Sequence, residues 1–112
     1  ILETLRVAEA CSTAIPAVEP VDSFRILDEA GKSRYIDRRS LRSVQTPQVF
    51  RADILKSAYQ NPYDERFTDD ASVVEYSGVP VTLCGGERSN IKITTPEDMI
   101  VAEALLRAVN RE

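Results

Sequence analysis

Histidine is absent from all 112 residues. That removes the commonest general base and metal ligand, together with Ser-His and Cys-His nucleophile pairs. Whatever chemistry this chain takes part in must manage without imidazole. Lys92 stands in "NIKITTPEDM", residues 90–99, between Ile91 and Ile93. The alternation reads as a short half-buried strand, and Thr95, Pro96 and Asp98 then supply an N-cap, a first helical position and a capping-box acid. A lysine where a strand feeds a helix suits a phosphate, because open α/β sheets place ligands there. On position alone it is also the edge-strand lysine that discourages sheet-to-sheet pairing. A second group of cations lies in "KSRYIDRRSLR", where Lys32, Arg34, Arg38, Arg39 and Arg42 face the single acid Asp37. The local balance is +4 in a chain of net charge -4, which leaves -8 elsewhere. Such a segment is either a solvated hairpin face or an anion clamp, and the planar fork of arginine favours phosphate or carboxylate as the anion.

The elements that must position these groups can be traced along the chain. "ILETLRVAEAC" reads as an amphipathic helix rather than a signal peptide, and "TAIPAV" as a short buried strand. "VDSFRIL" and "SRYIDRR" are strand-like runs on either side of the turn residues "DEAGK", and neither is apolar enough for a core. They predict a two-stranded arm that needs something to pack on. "SVQTPQVF" is extended and broken at Pro47; "RADILKSAYQ" is a short helix with Ile54, Leu55 and Ala58 on one side. In "TDDASVVEYSG", Thr68 is expected to cap a helix with Asp69 and Asp70 in its first turn and Gly78 after its end. "VPVTLCGG" reads as a buried strand, and "PEDMIVAEALLRAVN" as a closing helix with Met99, Ala102, Leu105 and Val109 on one stripe.

Hydrophobic residues make up 43% of the chain and charged residues 29%, the balance of a globular protein of at most one domain. No apolar run approaches the roughly 20 residues of a membrane span. With no such run and an opening unlike a signal peptide, a cytoplasmic protein is expected, and the negative net charge argues against bulk affinity for nucleic acid. Cys11 and Cys84 show neither metal-ligand spacing nor a disulfide framework, and are expected to be small buried hydrophobes. The order of elements is mixed α/β without a Gly-rich phosphate loop.

Three blocks in fixed order, "RSVQTPQVF", "TDDASVVEYSG" and "NIKITTPEDMIVAEALL", together with "AIPAVEPVDSF" and "IDRRSL", closely resemble the C-terminal half of the 2-C-methyl-D-erythritol 4-phosphate cytidylyltransferase family. The resemblance covers essentially all of residues 1–112. It implies part of a single Rossmann-like, three-layer α/β/α nucleotidyltransferase domain with a protruding β-hairpin arm at about residues 20–45. The family's N-terminal nucleotide-binding half is not in this sequence, so the piece is expected to be inactive alone. The implied reaction is cytidylyl transfer from CTP to methylerythritol phosphate, with Mg²⁺ held by the CTP phosphates and by residues of that other half.

Carried over residue by residue, the resemblance implies that Lys92 touches the acceptor phosphate and that Arg38, in the hairpin's second strand, grips the same group. Ser23 stands where the family usually has threonine. Thr46 and Thr68 match further substrate-contacting hydroxyls. In the family the arm crosses a two-fold homodimer, so Arg38 and Ser23 would serve the partner's site, with the side served by Thr46 left open. A pentitol phosphate cytidylyltransferase, such as a ribitol 5-phosphate enzyme, shares "TPQ" and a similar "NIKITT"; "TDDAS" and the "DR" of the arm favour methylerythritol phosphate. A non-catalytic dimerisation module is the alternative from another class.

Overall fold

A computed structural model describes residues 1–110. The first helix, α1 (Leu2–Cys11), ends at Ser12, which adopts a left-handed conformation and turns the chain into β1 (Thr13–Val18). β1 is the centre of the sheet. It pairs antiparallel with β4 (Ser43–Val44) and β5 (Val49–Phe50), and parallel with β6 (Leu83–Gly85). Thr13, Ala14 and Ile15 are fully buried, as expected for a strand with neighbours on both edges.

Between β1 and β4 the chain leaves the sheet as a separate hairpin, β2 (Arg25–Leu27) and β3 (Ser33–Tyr35). Asp28 builds its turn: its carboxylate accepts from the Lys32 N–H at 2.8 Å, and Gly31 supplies the positive φ of 81°. Leu27 and Tyr35 are 69% and 74% exposed, so this is the predicted arm without a core of its own. After β5 come α2 (Ala52–Ala58) and α3 (Asp70–Tyr76), whose Ala58, Val73 and Val74 form a small core with Phe50, Ile54, Leu55, Phe67, Val79 and Val81 around it. The chain closes with α4 (Pro96–Asn110). The α/β class is the one expected, and so is the order of elements apart from a strand before α4.

Three expectations about these elements need correction. "NIKI" is not a strand: residues 91–93 pair with nothing among the described residues, and Ile93 is 51% exposed. Alternation over three residues becomes a strand only where a neighbouring edge accepts its backbone bonds. "VPVTLCGG" is strand only at Leu83–Gly85, and Leu83 is 48% exposed. The buried hydroxyl of Thr13 donates to the Pro80 carbonyl and accepts from the Thr82 N–H, each at 3.1 Å, so a side chain takes over the ladder at that point. Cys11 is exposed on the last turn of α1, and Cys84 is only half-buried beside Thr4. On α4, which forms as expected, Ala102 and Leu105 of the stripe are half-buried while Met99 and Val109 are 49% and 66% exposed. No helix among the described residues is long and apolar enough to cross a membrane.

Candidate acceptor-phosphate site

Thr46 is fixed by the two glutamines that flank it and Pro47. The Gln45 N–H donates to the Pro16 carbonyl at 2.8 Å, which anchors the segment to β1. Its side-chain amide donates to the carbonyls of Glu87 and Asn90 at 2.7 and 3.2 Å, and its Oε1 accepts from the Glu87 N–H at 3.1 Å. Asn90 answers by donating Nδ2 to the Thr46 carbonyl at 2.6 Å. Segment 45–46 and loop 87–90 are thus one hydrogen-bonded unit, and Lys92 lies two residues beyond its edge. Thr46 itself is exposed and, with Pro16, Pro47, Gly86, Glu87 and Asn90, lines a cavity of roughly 550 Å³.

Gly86 is required by this packing. A β-carbon there would run into Gln45 Oε1 and stand 3.1 and 3.2 Å from the Ala17 amide nitrogen and carbonyl oxygen. Backbone on one side leaves nothing free to retreat. We expect Gly86→Ala to cost about 1–3 kcal/mol, the range for overpacking a tight site, and to lower the thermal midpoint. An unchanged midpoint would mean that loop 86–90 shifts without resistance.

Gln48 ties the same segment to the start of α3. Its Nε2 donates to Asp69 Oδ2 at 3.0 Å, and its Oε1 accepts from the Ala71 N–H at 3.1 Å. The cap of α3 is therefore Asp69 and not Thr68. Asp69 accepts from the Ser72 N–H at 2.8 Å while Ser72 Oγ accepts from the Asp69 N–H at 3.2 Å, a reciprocal capping box. Burial pushes the Asp69 carboxyl up, but the bonds from Gln48 and Ser72 outweigh it and hold the group below its ordinary range. Thr68 contributes only its backbone N–H, to Ser72 Oγ at 3.0 Å, and its hydroxyl makes no bond among the described residues. With the capping role taken, that hydroxyl is exposed and free for a ligand.

Arg38 is not on the hairpin's second strand, which ends at Tyr35; it opens a 3₁₀ turn, Arg38–Ser40. Asp37 causes the turn by accepting the Arg39 N–H at 3.0 Å and binding the Arg39 guanidinium through both oxygens. Those bonds hold Asp37 below the usual carboxylate range, the side-chain bond from Arg39 foremost. Arg38 Nη1 donates to the Val21 carbonyl at 2.8 Å, pinning the guanidinium at the base of the arm, two residues from exposed Ser23. With Glu19, Pro20, Val21, Arg39 and Arg88 it lines a cavity of roughly 350 Å³.

Lys92 is exposed, with no ion pair among the described residues. The helix after it starts as expected. Thr95 Oγ1 accepts from the Asp98 N–H at 3.2 Å, and Asp98 Oδ2 accepts from the Thr94 and Thr95 N–H groups and the Thr94 hydroxyl, each at 3.0 Å. These bonds, the Thr94 N–H first, hold Asp98 below its ordinary range. Thr46, Thr68 and the approach to Lys92 are joined through Gln48, Gln45 and Asn90. Arg38 is bonded to Val21, two residues before Ser23 in the chain, and Arg38 and Thr46 line separate cavities. Sequence reasoning missed Gln45, Gln48 and Asn90; the one signal was an amide on each side of "TP" in "QTPQ". Among the described residues no group of three or more His, Cys, Asp or Glu could hold a metal ion.

Exposed cations and hydroxyls held by polar clamps around a mixed α/β sheet mark the class as an open α/β domain with the groups of an anion site. The family described as IspD, 2-C-methyl-D-erythritol 4-phosphate cytidylyltransferase, matches residues 1–108, and the chain belongs to that family. It is 55% identical over 92 residues to the enzyme of that name from Bacteroides fragilis, covering 82% of this chain and 42% of that one. To the Rubrobacter xylanophilus enzyme it is 45% identical over 107 residues, covering 94% and 46%. The crystal structure of the Thermus thermophilus enzyme superposes with a TM-score of 0.78 at 33% identity, over 94% of this chain and 53% of that one. A 4-diphosphocytidyl-2C-methyl-D-erythritol synthase from Anaerococcus prevotii gives a TM-score of 0.83 at 30% identity, over 95% and 49%. The chain spans about half the length of the curated relatives it matches.

Proposed function

We propose that the protein carrying this chain transfers the cytidylyl group of CTP to 2-C-methyl-D-erythritol 4-phosphate, and that this chain supplies the acceptor-phosphate contacts. The observation that carries the proposal is the family match over residues 1–108, which includes Ser23, Arg38, Thr46, Thr68 and Lys92. A phosphate monoester is largely ionised near neutral pH and needs no base. One of its oxygens bonds to the α-phosphorus of CTP; the bond from that phosphorus to the bridging oxygen breaks, and the electron pair leaves with pyrophosphate. What opposes the step is repulsion between two anions. Lys92 and Arg38 offset it and orient the nucleophile, while the hydroxyls of Ser23, Thr46 and Thr68 fix register.

In this proposal the working unit is a cytoplasmic homodimer in which the arm carries Arg38 and Ser23 into the partner's site. Mg²⁺ is bound by the CTP phosphates and by residues outside this chain, and when bound it neutralises charge on the triphosphate. A turnover assay that offers the full-length protein methylerythritol 4-phosphate and ribitol 5-phosphate with CTP tests the substrate. We expect the methylerythritol product to dominate by at least about tenfold, the discrimination of one or two well-placed polar contacts. Preferential use of ribitol 5-phosphate would overturn the acceptor, and release of no pyrophosphate with either would overturn the reaction.

A further inference from the structure

We propose that Arg88 joins Arg38 in one anion site that takes the phosphate monoester of the acceptor. The inference rests on the function proposed above, in which Arg38 serves the partner's site, so that Arg88 of the same chain serves that site with it; it adds a residue outside the resemblance's motifs. Arg38 is positioned just after β1 through the Val21 carbonyl, and Arg88 lies just after β6. β1 and β6 run parallel, so both guanidiniums lie beyond the carboxyl ends of a parallel pair, where open α/β sheets bind ligands.

Other charges in the cavity are already engaged. Arg39 is held by Asp37, with a closest approach of 3.0 Å, and Glu19, the one acid in the lining, has Arg42 3.9 Å away. Arg88 has no ion pair or side-chain hydrogen bond among the described residues, and Arg38 spends one N–H on Val21. Arg38 and Arg88 line one cavity of roughly 350 Å³, and an anion between them would offset the repulsion of their like charges. Gln45 binds Glu87 and Asn90, on either side of Arg88 in sequence, so the backbone that carries this arginine is held in place. A fork of N–H donors on a fixed backbone matches a phosphate better than a lysine would.

The test uses the full-length protein and separate Michaelis constants for CTP and methylerythritol phosphate. Arg88→Gln should raise the acceptor KM about tenfold, as for loss of one charged hydrogen-bonding partner, with kcat within about twofold and the CTP KM unchanged; Arg88→Lys should recover part of the loss. Since both arginines would hold one phosphate, Arg38→Gln with Arg88→Gln should raise the acceptor KM by less than the product of the single effects. Thermal melts run alongside should coincide with wild type, because Arg88 is exposed. An unchanged acceptor KM in Arg88→Gln overturns the proposal, as does a rise confined to CTP. If Arg38→Gln raises the acceptor KM and Arg88→Gln does not, only the role of Arg88 falls. If neither variant nor Lys92→Ala changes the kinetics, the underlying acceptor-site reading falls instead.

Discussion

In the full-length protein, Lys92→Ala should lower cytidylyl transfer by about 10²- to 10³-fold, the scale for losing one preorganised electrostatic contact to a developing transition state. The expectation follows from the position of the residue. Lys92 is exposed, makes no ion pair among the described residues, and lies between the Gln45-clamped loop and the Thr95–Asp98 capping box of α4. Both flanks of its backbone are held while its ammonium is left uncommitted. Removing it should leave the fold intact, because no strand depends on residues 91–93. Stopped-time assays of product against a matched thermal melt check both halves of the prediction. A fall below about threefold would be too small for a contact made in the transition state, and would return Lys92 to the role of a solvated surface charge.

Mixing two damaged proteins should restore activity. If Arg38 acts across the dimer while Lys92 acts in its own subunit, Arg38→Ala and Lys92→Ala remove different contributors to each site. In a mixed dimer, the site in the Arg38→Ala body keeps its own Lys92 and receives an intact arm from the other chain; the opposite site loses both cations. Random exchange makes about half of the dimers mixed, so about a quarter of all sites are restored if subunits act independently. The chain's own geometry is compatible with this division, since Arg38 sits at the base of an exposed arm and lines a different cavity from Thr46 and Asn90. Refolded mixtures shown to contain heterodimers should approach a quarter of wild-type activity. Mixtures that stay at the level of the separate mutants would mean that Arg38 serves its own subunit.

Features decided within a few residues are legible in the sequence. The Thr95–Asp98 capping box spans four positions, and the hairpin turn depends on Asp28, Gly31 and Lys32 alone. What depends on distant partners is not legible. Asp69 takes the cap from Thr68 because Ser72 completes its box and Gln48, 21 positions earlier, binds its second oxygen. Thr46 is held through Asn90, 44 positions away, and nothing local in "TPQ" reveals that link. The alternation of Ile91 and Ile93 predicts a strand at Lys92, but alternation does not provide a neighbouring edge. At Arg38 the signal for a 3₁₀ turn, one aspartate accepting an N–H two residues on, competes with a stronger β-like run before it. The identities of the site residues come from motif resemblance; their support is long-range and polar, and hydrophobic periodicity carries no trace of it.

Equilibrium titration of methylerythritol 4-phosphate into the full-length protein, with an unreactive CTP analogue already bound, tests most directly whether these residues hold the acceptor phosphate. Arg38→Ala and Lys92→Ala should each weaken acceptor binding by about tenfold or more, as for a charge-assisted contact, while the affinity for the CTP analogue stays at the wild-type value. Undiminished acceptor binding together with weakened binding of the CTP analogue would contradict the assignment and move both cations to the nucleotide side of the reaction.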